Sequence, residues 1–159
     1  MSVSPQPELD LTLSRLIKAP RAAVWRAWTD RASFEQWWVP APARCRVQEM
    51  ELHPGGSFAT LFSEDGGDFV PHLRGCFLAL DPNERLVFTN ALVKGWRPAE
   101  ASDVPLMTAT ITLREHAQGT DYVVHVQHNS PADRSRHEKM GFFEGWGTVT
   151  EQLARLAER

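Results

Sequence analysis

Two histidines three residues apart are the first side chains whose types and spacing suggest chemistry. His125 and His128 lie in a segment where apolar and polar residues alternate. On a β-strand, residues three apart point to opposite faces, so these imidazoles are poorly placed to ligate one metal ion, and we predict no metal site. His128 shares a face with Val124 and Val126. It is either an inward acid–base group or a structural histidine bonded to the backbone, and the second interpretation is favoured.

Glu138 is the second candidate, because it lies four residues before Phe142 in a region with helical spacing. A helix places residues four apart on one face, which puts this carboxylate near an apolar stripe. There it would act as a general base or orient a polar group of a ligand. The alternative, which we favour, is a surface glutamate paired with Arg134. His137 and Glu144 are predicted to project away from the stripe, at the surface.

Motifs for nucleophilic catalysis and phosphate binding are absent from the sequence. There is no GxSxG segment, and the two cysteines, Cys45 and Cys76, lie in predicted strands and form no CxxC pair. Gly55-Gly56 and Gly66-Gly67 lack the strand and helix that flank a phosphate-binding loop, so they are interpreted as hairpin turns. These observations leave the chain without a strong indication of catalysis.

The composition indicates one globular domain. The chain has 159 residues, of which 42% are hydrophobic, enough for one core without disulfides or metals. Its 17 Lys and Arg residues against 20 Asp and Glu residues give a net charge of -3 with no basic cluster, which argues against nucleic-acid binding. No apolar stretch reaches the roughly 20 residues of a membrane span. We expect a cytoplasmic protein with a flexible leader at 1–8 and a single domain at 9–159.

Alternating hydrophobicity predicts a run of β-strands. The clearest pair is 107–115 and 120–128, which flank a turn at Gln118-Gly119 and should form an antiparallel hairpin. Further strands are predicted at 9–18, 44–52, 57–62, 69–80 and 85–90. Turn-forming residues separate the middle strands, as expected for hairpins.

Helices are predicted on both sides of these strands. One begins near Pro20, and a second, short helix follows a cap at Asp30 and carries Phe34, Trp37 and Trp38. A long last helix is predicted to begin after a cap at Ser130 and to carry an apolar stripe made of Phe142, Trp146, Val149, Leu153 and Leu156. The expected fold is α+β, with a curved antiparallel sheet of about six or seven strands wrapped around the long C-terminal helix.

Several segments, in order along the chain, resemble one family. They are IKAPRAAVWRAWTD from Ile17, QWWVP from Gln36, PGGSF from Pro54, NERLVFT from Asn83, MTAT from Met107, and HEKMGF from His137 with EGW from Glu144. They resemble the START-like, helix-grip superfamily (SRPBCC), and more specifically the branch named after homologues of the activator of the heat-shock protein ninety ATPase. The resemblance covers roughly 9–156.

This resemblance implies a largely apolar cavity between the sheet and the C-terminal helix, in which superfamily members bind lipids, polyketides or other hydrophobic molecules. We therefore expect a small hydrophobic or amphipathic ligand, with no cofactor and no metal. The predicted ligand-binding residues are an apolar set, Phe58, Phe88, Met107, Phe142 and Trp146, a polar set, Arg74, Asn90, His128 and Glu138, and in addition Trp96 and Gly145. The loop at 94–105, which carries Trp96, is predicted to be a mobile cover.

Two other function classes stay open. A cyclase, hydratase or hydrolase would use Glu138 or His128 as its acid or base, and these groups would have to converge across the cavity. A regulator of a chaperone ATPase would instead need an exposed complementary surface. A homodimer is left open as well, and neither a nucleic acid nor a membrane is expected as a partner.

Overall fold

A seven-stranded antiparallel sheet is the frame of the computed structural model, which describes residues 4–159. Its strands are β1 (Asp10–Ile17), β2 (Arg44–Met50), β3 (Ser57–Ser63), β4 (Val70–Asp81), β5 (Arg85–Thr89), β8 (Met107–His116) and β9 (Gly119–His128). They lie in the order β1-β9-β8-β5-β4-β3-β2. Between β5 and β8, two short strands, β6 (Leu92–Val93) and β7 (Arg97–Pro98), pair with each other around a 3-10 turn at Lys94–Trp96.

The predicted hairpin of β8 and β9 is confirmed. Met107 pairs with His128 at one end and His116 with Gly119 at the other, so the two strands are in register over their whole length. Gly119 has a φ of 142°, and a Cβ there would lie 2.2 Å from the carbonyl oxygen of Ile17. Glycine is therefore required at this turn, because a side chain would collide with the backbone of the neighbouring strand.

Four helices pack on the sheet: α1 (Arg21–Thr29), α2 (Arg31–Phe34), α3 (Pro131–Lys139) and α4 (Phe142–Ala157). The predicted cap at Asp30 is present, since its carboxylate accepts a hydrogen bond of 3.0 Å from the backbone N–H of Ser33. The second helix is shorter than predicted, and Trp37 and Trp38 lie in the turns beyond its end. The α+β architecture is the predicted one.

The prediction of one unbroken C-terminal helix is wrong. Ser130 caps the helix as expected, accepting a hydrogen bond of 3.1 Å from the N–H of Asp133, but α3 ends at Lys139. Gly141 then adopts a left-handed conformation with a φ of 97°, and α4 begins at Phe142. Because glycine has no Cβ, it takes this conformation at little cost, and the chain changes direction here.

Aromatic rings fill the core between the sheet and the first two helices. Trp28, Phe34 and Phe58 are almost completely buried, and Trp28 lies 4.9 Å from Trp37 between ring centroids. The indole N–H of Trp28 donates a hydrogen bond of 3.1 Å to the hydroxyl of Tyr122, so the core joins the first helix to β9. Edge-to-face contacts of this kind stabilise a core beyond the area they bury.

The leader predicted at 1–8 lies partly outside the described residues, which begin at position 4. Its last part turns back on β1, because the backbone N–H of Gln6 donates to the carboxylate of Asp10 at 2.8 Å. Its flexibility stays a prediction. In the part of the chain that the structure describes, no helix is both long and apolar enough to cross a membrane.

Candidate functional site

A cavity of about 810 Å³ lies between the sheet, helix α4 and the segment that joins β5 to β8. Helices α3 and α4 and their junction supply His137, Met140, Gly141, Phe142, Gly145, Trp146 and Val149. The sheet and the turn after α2 supply Trp38, Pro40, Phe62, Pro71, His72, Leu73, Arg74, Asn90 and Met107, and the connecting segment supplies Val93, 97–102, Val104 and Leu106. The lining is mostly apolar, with its charged groups on exposed residues.

Six of the eleven predicted ligand-binding residues line this cavity. They are Arg74, Asn90, Met107, Phe142, Gly145 and Trp146. Gly145 belongs to α4, and a Cβ built on it would meet nothing within 4 Å. Phe142 and Trp146, one turn apart in the same helix, are almost fully buried. The helix therefore presents an aromatic wall with an open gap in it.

Phe58 and Phe88 were expected to form the cavity wall, but both lie behind it and are fully buried. Phe58 stacks on Phe77 with ring centroids 4.5 Å apart, and Phe88 lies 6.0 Å from Trp38. Trp38 stands between these rings and the cavity and forms the wall itself. The sequence placed Trp38 on the second helix, and nothing in its position indicated that it would line a cavity.

Trp96 was expected at the cavity mouth, but it packs on the turn between β2 and β3. Its indole lies over Gly55, where a Cβ would be 3.0 Å from the ring. The side chain remains 48% exposed and does not line the cavity. Residues 97–102, which follow Trp96, do line the cavity, so part of the predicted cover forms the cavity wall. The mobility of this cover stays a prediction.

Glu138 and His128 also lie outside the cavity lining. Glu138 accepts a hydrogen bond of 2.7 Å from Arg134, which is the surface pair favoured from the sequence. His128 is only 7% exposed, and its Nδ1 lies 2.8 Å from the carbonyl oxygen of Leu9, as expected for a structural histidine. Its Nε2 lies 2.7 Å from Nδ1 of His137.

His137 is the cavity residue that the sequence analysis placed incorrectly at the surface. It lines the cavity, and its ring centroid lies 5.1 Å from that of Phe142 in an edge-to-face arrangement. The error follows from the unbroken helix, because the bend at Gly141 reorients α3 relative to the stripe of α4. Burial, together with the proximity of the His128 ring, lowers the pKa of His137 to about 4. Its imidazole is therefore neutral at pH 7.

The remaining polar groups of the cavity have distinct surroundings. Asn90 uses both ends of its amide, accepting from the N–H of Met107 at 2.8 Å and donating to the carbonyl of Pro105 at 3.1 Å, so it anchors the connecting segment. His72 lies 3.2 Å from the hydroxyl of Thr60, and desolvation by the surrounding protein lowers its pKa although the residue keeps an exposed surface. The charged side chains of the lining, Arg74, Arg97 and Glu100, belong to exposed residues, whereas the buried residues of the lining are uncharged.

The side chains present do not form a metal centre within residues 4–159, where no group of three or more His, Cys, Asp or Glu residues is placed to hold an ion. His125 is directed away from His128, as expected from the strand, and lies 2.7 Å from the carboxylate of Asp10. The cysteine thiols are buried, and burial raises the pKa of Cys45 to about 12. Such a thiol is a poor nucleophile at pH 7.

A sheet that packs against a long C-terminal helix, with a cavity between them, defines the helix-grip class of START-like proteins. The family model described as Activator of Hsp90 ATPase homolog 1-like protein matches residues 18–158, and the chain belongs to this family. The resemblance recognised from the sequence motifs is thus confirmed.

Solved structures show the same fold. A protein from Nitrosomonas europaea is 39% identical, with 98% of each chain covered and a TM-score of 0.89. A protein from Chromobacterium violaceum is 26% identical over 94% of this chain and 98% of the other, with a TM-score of 0.74. One from Arthrobacter aurescens, 21% identical over 99% and 91% of the two chains with a TM-score of 0.80, supports the fold alone. No protein of curated function matches the sequence significantly.

Proposed function

We propose that the protein binds a small hydrophobic or amphipathic molecule in the cavity between the sheet and α4. The observation that carries this proposal is the cavity itself, whose volume of about 810 Å³ falls in the usual range for small-molecule sites. Its lining is mostly apolar, with a small number of polar groups that would orient a ligand. Pockets of this composition bind through many apolar contacts and few polar ones.

The packing of the core supports the same proposal. The aromatic cluster around Trp28 and Phe58 is tightly closed, with neighbouring centroids from 4.5 Å apart, and does not need a ligand to complete it. By contrast, the wall of α4 contains Gly145, which lies inside a helix at a cost of about 1 kcal/mol relative to alanine. No neighbouring atom demands a glycine there, and the position lines the cavity, so the missing side chain leaves room for a ligand.

Native mass spectrometry of the purified full-length chain tests this function. We expect a fraction of the protein to carry an additional small molecule, released by organic solvent and identified by its mass. Addition of a compact apolar probe such as 2-methylnaphthalene to stripped protein should restore a one-to-one complex. Protein that carries nothing and binds no apolar probe would contradict the proposal.

An enzyme that uses Glu138 or His128 has no geometric support, because these residues do not converge across the cavity. Regulation of a chaperone ATPase is a second candidate, favoured by the family's description alone. Its test is direct: the purified chain should change the turnover of an Hsp90-type ATPase, and unchanged turnover at saturating protein would reject it. Cytoplasmic location and a homodimer stay predictions.

A further inference from the structure

A chain of hydrogen bonds leads from the backbone of Leu9, the residue before β1, to the cavity. The carbonyl oxygen of Leu9 lies 2.8 Å from Nδ1 of His128, and Nε2 of His128 lies 2.7 Å from Nδ1 of His137. His128 is buried at 7% exposure, whereas His137 lines the cavity. Each contact is short enough to require one proton between the two atoms.

The chain fixes which nitrogen of each ring carries a proton. A carbonyl oxygen only accepts, so Nδ1 of His128 must be the donor to Leu9. His128 contacts this carbonyl and an imidazole but no carboxylate, and in a neutral ring that donates from Nδ1 the Nε2 atom carries no proton and is an acceptor. His137 must then donate from Nδ1. Its Nε2 consequently has a free lone pair, since the ring is neutral.

In the part of the chain that the structure describes, Nε2 of His137 has no hydrogen-bond partner. Within residues 4–159 it is also not among the buried unpaired atoms, so it is accessible. We infer that Nε2 of His137 is a hydrogen-bond acceptor site in the cavity, which takes the hydroxyl group of an otherwise apolar ligand. The inference rests on the proposed function and adds the ligand's polar group to it.

The surroundings of His137 make the acceptor selective. The ring of Phe142 lies 5.1 Å away, and Trp146 lines the same wall, so an occupied cavity excludes water from this nitrogen. A ligand with a methyl group in place of the hydroxyl would leave a buried acceptor unpaired, which sites of this type reject. The tautomer of His72 cannot be assigned in this way, because the hydroxyl of Thr60 beside its Nδ1 can donate or accept a hydrogen bond.

Two probes of nearly equal size test the inference at pH 7.5. Isothermal titration calorimetry should show 2-naphthol binding about two- to tenfold more tightly than 2-methylnaphthalene, the ratio expected for one hydrogen bond. His137→Phe should abolish this preference while it retains binding of 2-methylnaphthalene. His53→Phe is the control, since His53 lies on an exposed turn outside the cavity.

The outcomes separate the two proposals. Equal affinity for both probes in the unaltered protein would overturn the acceptor site and leave cavity binding intact, whereas failure of both probes to bind would overturn cavity binding as well. A preference that persists in a folded His137→Phe variant would overturn the assignment to His137. Nitrogen-15 NMR of the unaltered protein needs no variant: we expect a proton on Nδ1 and a lone pair on Nε2 of His137, and the reverse would overturn the inference.

Discussion

The substitution Gly145→Leu distinguishes two explanations for a glycine at this position of the helix: close packing of the helix backbone against a neighbour, or space that a ligand occupies. A Cβ at position 145 would meet nothing within 4 Å, so the new side chain enters the cavity without striking the backbone. Glycine is about 0.8–1 kcal/mol less favourable than alanine in a helix interior, and leucine is nearly as favourable as alanine. We expect the free energy of unfolding to rise by about 0.5–1 kcal/mol, which raises the Tm by about 1–4 °C.

The same substitution should weaken ligand binding, because the leucine occupies space that the ligand needs. Forcing extra carbon atoms into a filled site costs about 1–3 kcal/mol, so we expect the Kd of 2-methylnaphthalene to rise by about five- to 150-fold. Gly147→Leu is the matched control. Gly147 lies in the same helix and also has open space around it, but it does not line the cavity. That variant should gain similar stability and keep its affinity.

Thermal unfolding and calorimetric titration of both variants provide the assay. A destabilised Gly145→Leu variant would mean that the helix backbone packs closely at this position. Unchanged affinity in a stable Gly145→Leu variant would mean that the ligand binds elsewhere. Either result would refute the argument that the glycine reserves space for a ligand.

Three further predictions concern stability. Gly75→Ala should lower the free energy of unfolding in urea by about 1–3 kcal/mol or more, because its Cβ would lie 2.0 Å from the carbonyl oxygen of Thr89; unchanged stability would refute this contact. Tyr122→Phe should cost about 1–3 kcal/mol, measured in the same way, because it leaves the buried N–H of Trp28 without an acceptor. The pKa of His137 is lower in the folded chain than in the unfolded chain, so on acidification the unfolded chain takes up a proton at this residue at a higher pH. The free energy of unfolding should therefore fall by at most about 3 kcal/mol as pH drops from 6.5 to 4. His137→Phe should flatten that decline, and an equally steep decline in the variant would contradict it.

The strands and the family were predictable from the sequence because their determinants are local. Alternation in 107–115 and 120–128 specifies which face is buried, and the pairing of Met107 with His128 follows from the turn between them. The break between α3 and α4 was missed because a glycine inside a helical pattern is compatible with both a continuous helix and a bend. Gly141 takes a positive φ in the fold, and no local pattern in the sequence distinguishes that bend from a continuous helix.

The cavity was less predictable, because its lining depends on how elements meet. Phe142 and Trp146 follow from the helical stripe, whereas Trp38 lies in the turn after α2 and His72 near the start of β4. His137 was misplaced by the same error that joined the two helices. No periodicity could have shown that its ring meets His128, because that contact joins two elements across the fold.

The most direct test of the central claim, that the cavity binds an apolar ligand, is an NMR titration of the six tryptophan indole N–H signals with 2-naphthol. Trp38 and Trp146 line the cavity, whereas the indoles of Trp28 and Trp37 are held by Tyr122 and the carbonyl of Ala27 within the core. We expect saturable shifts at Trp38 and Trp146 and smaller changes at the two core indoles. Shifts confined to the exposed Trp96, or no shift at any indole at saturating probe, would contradict the account.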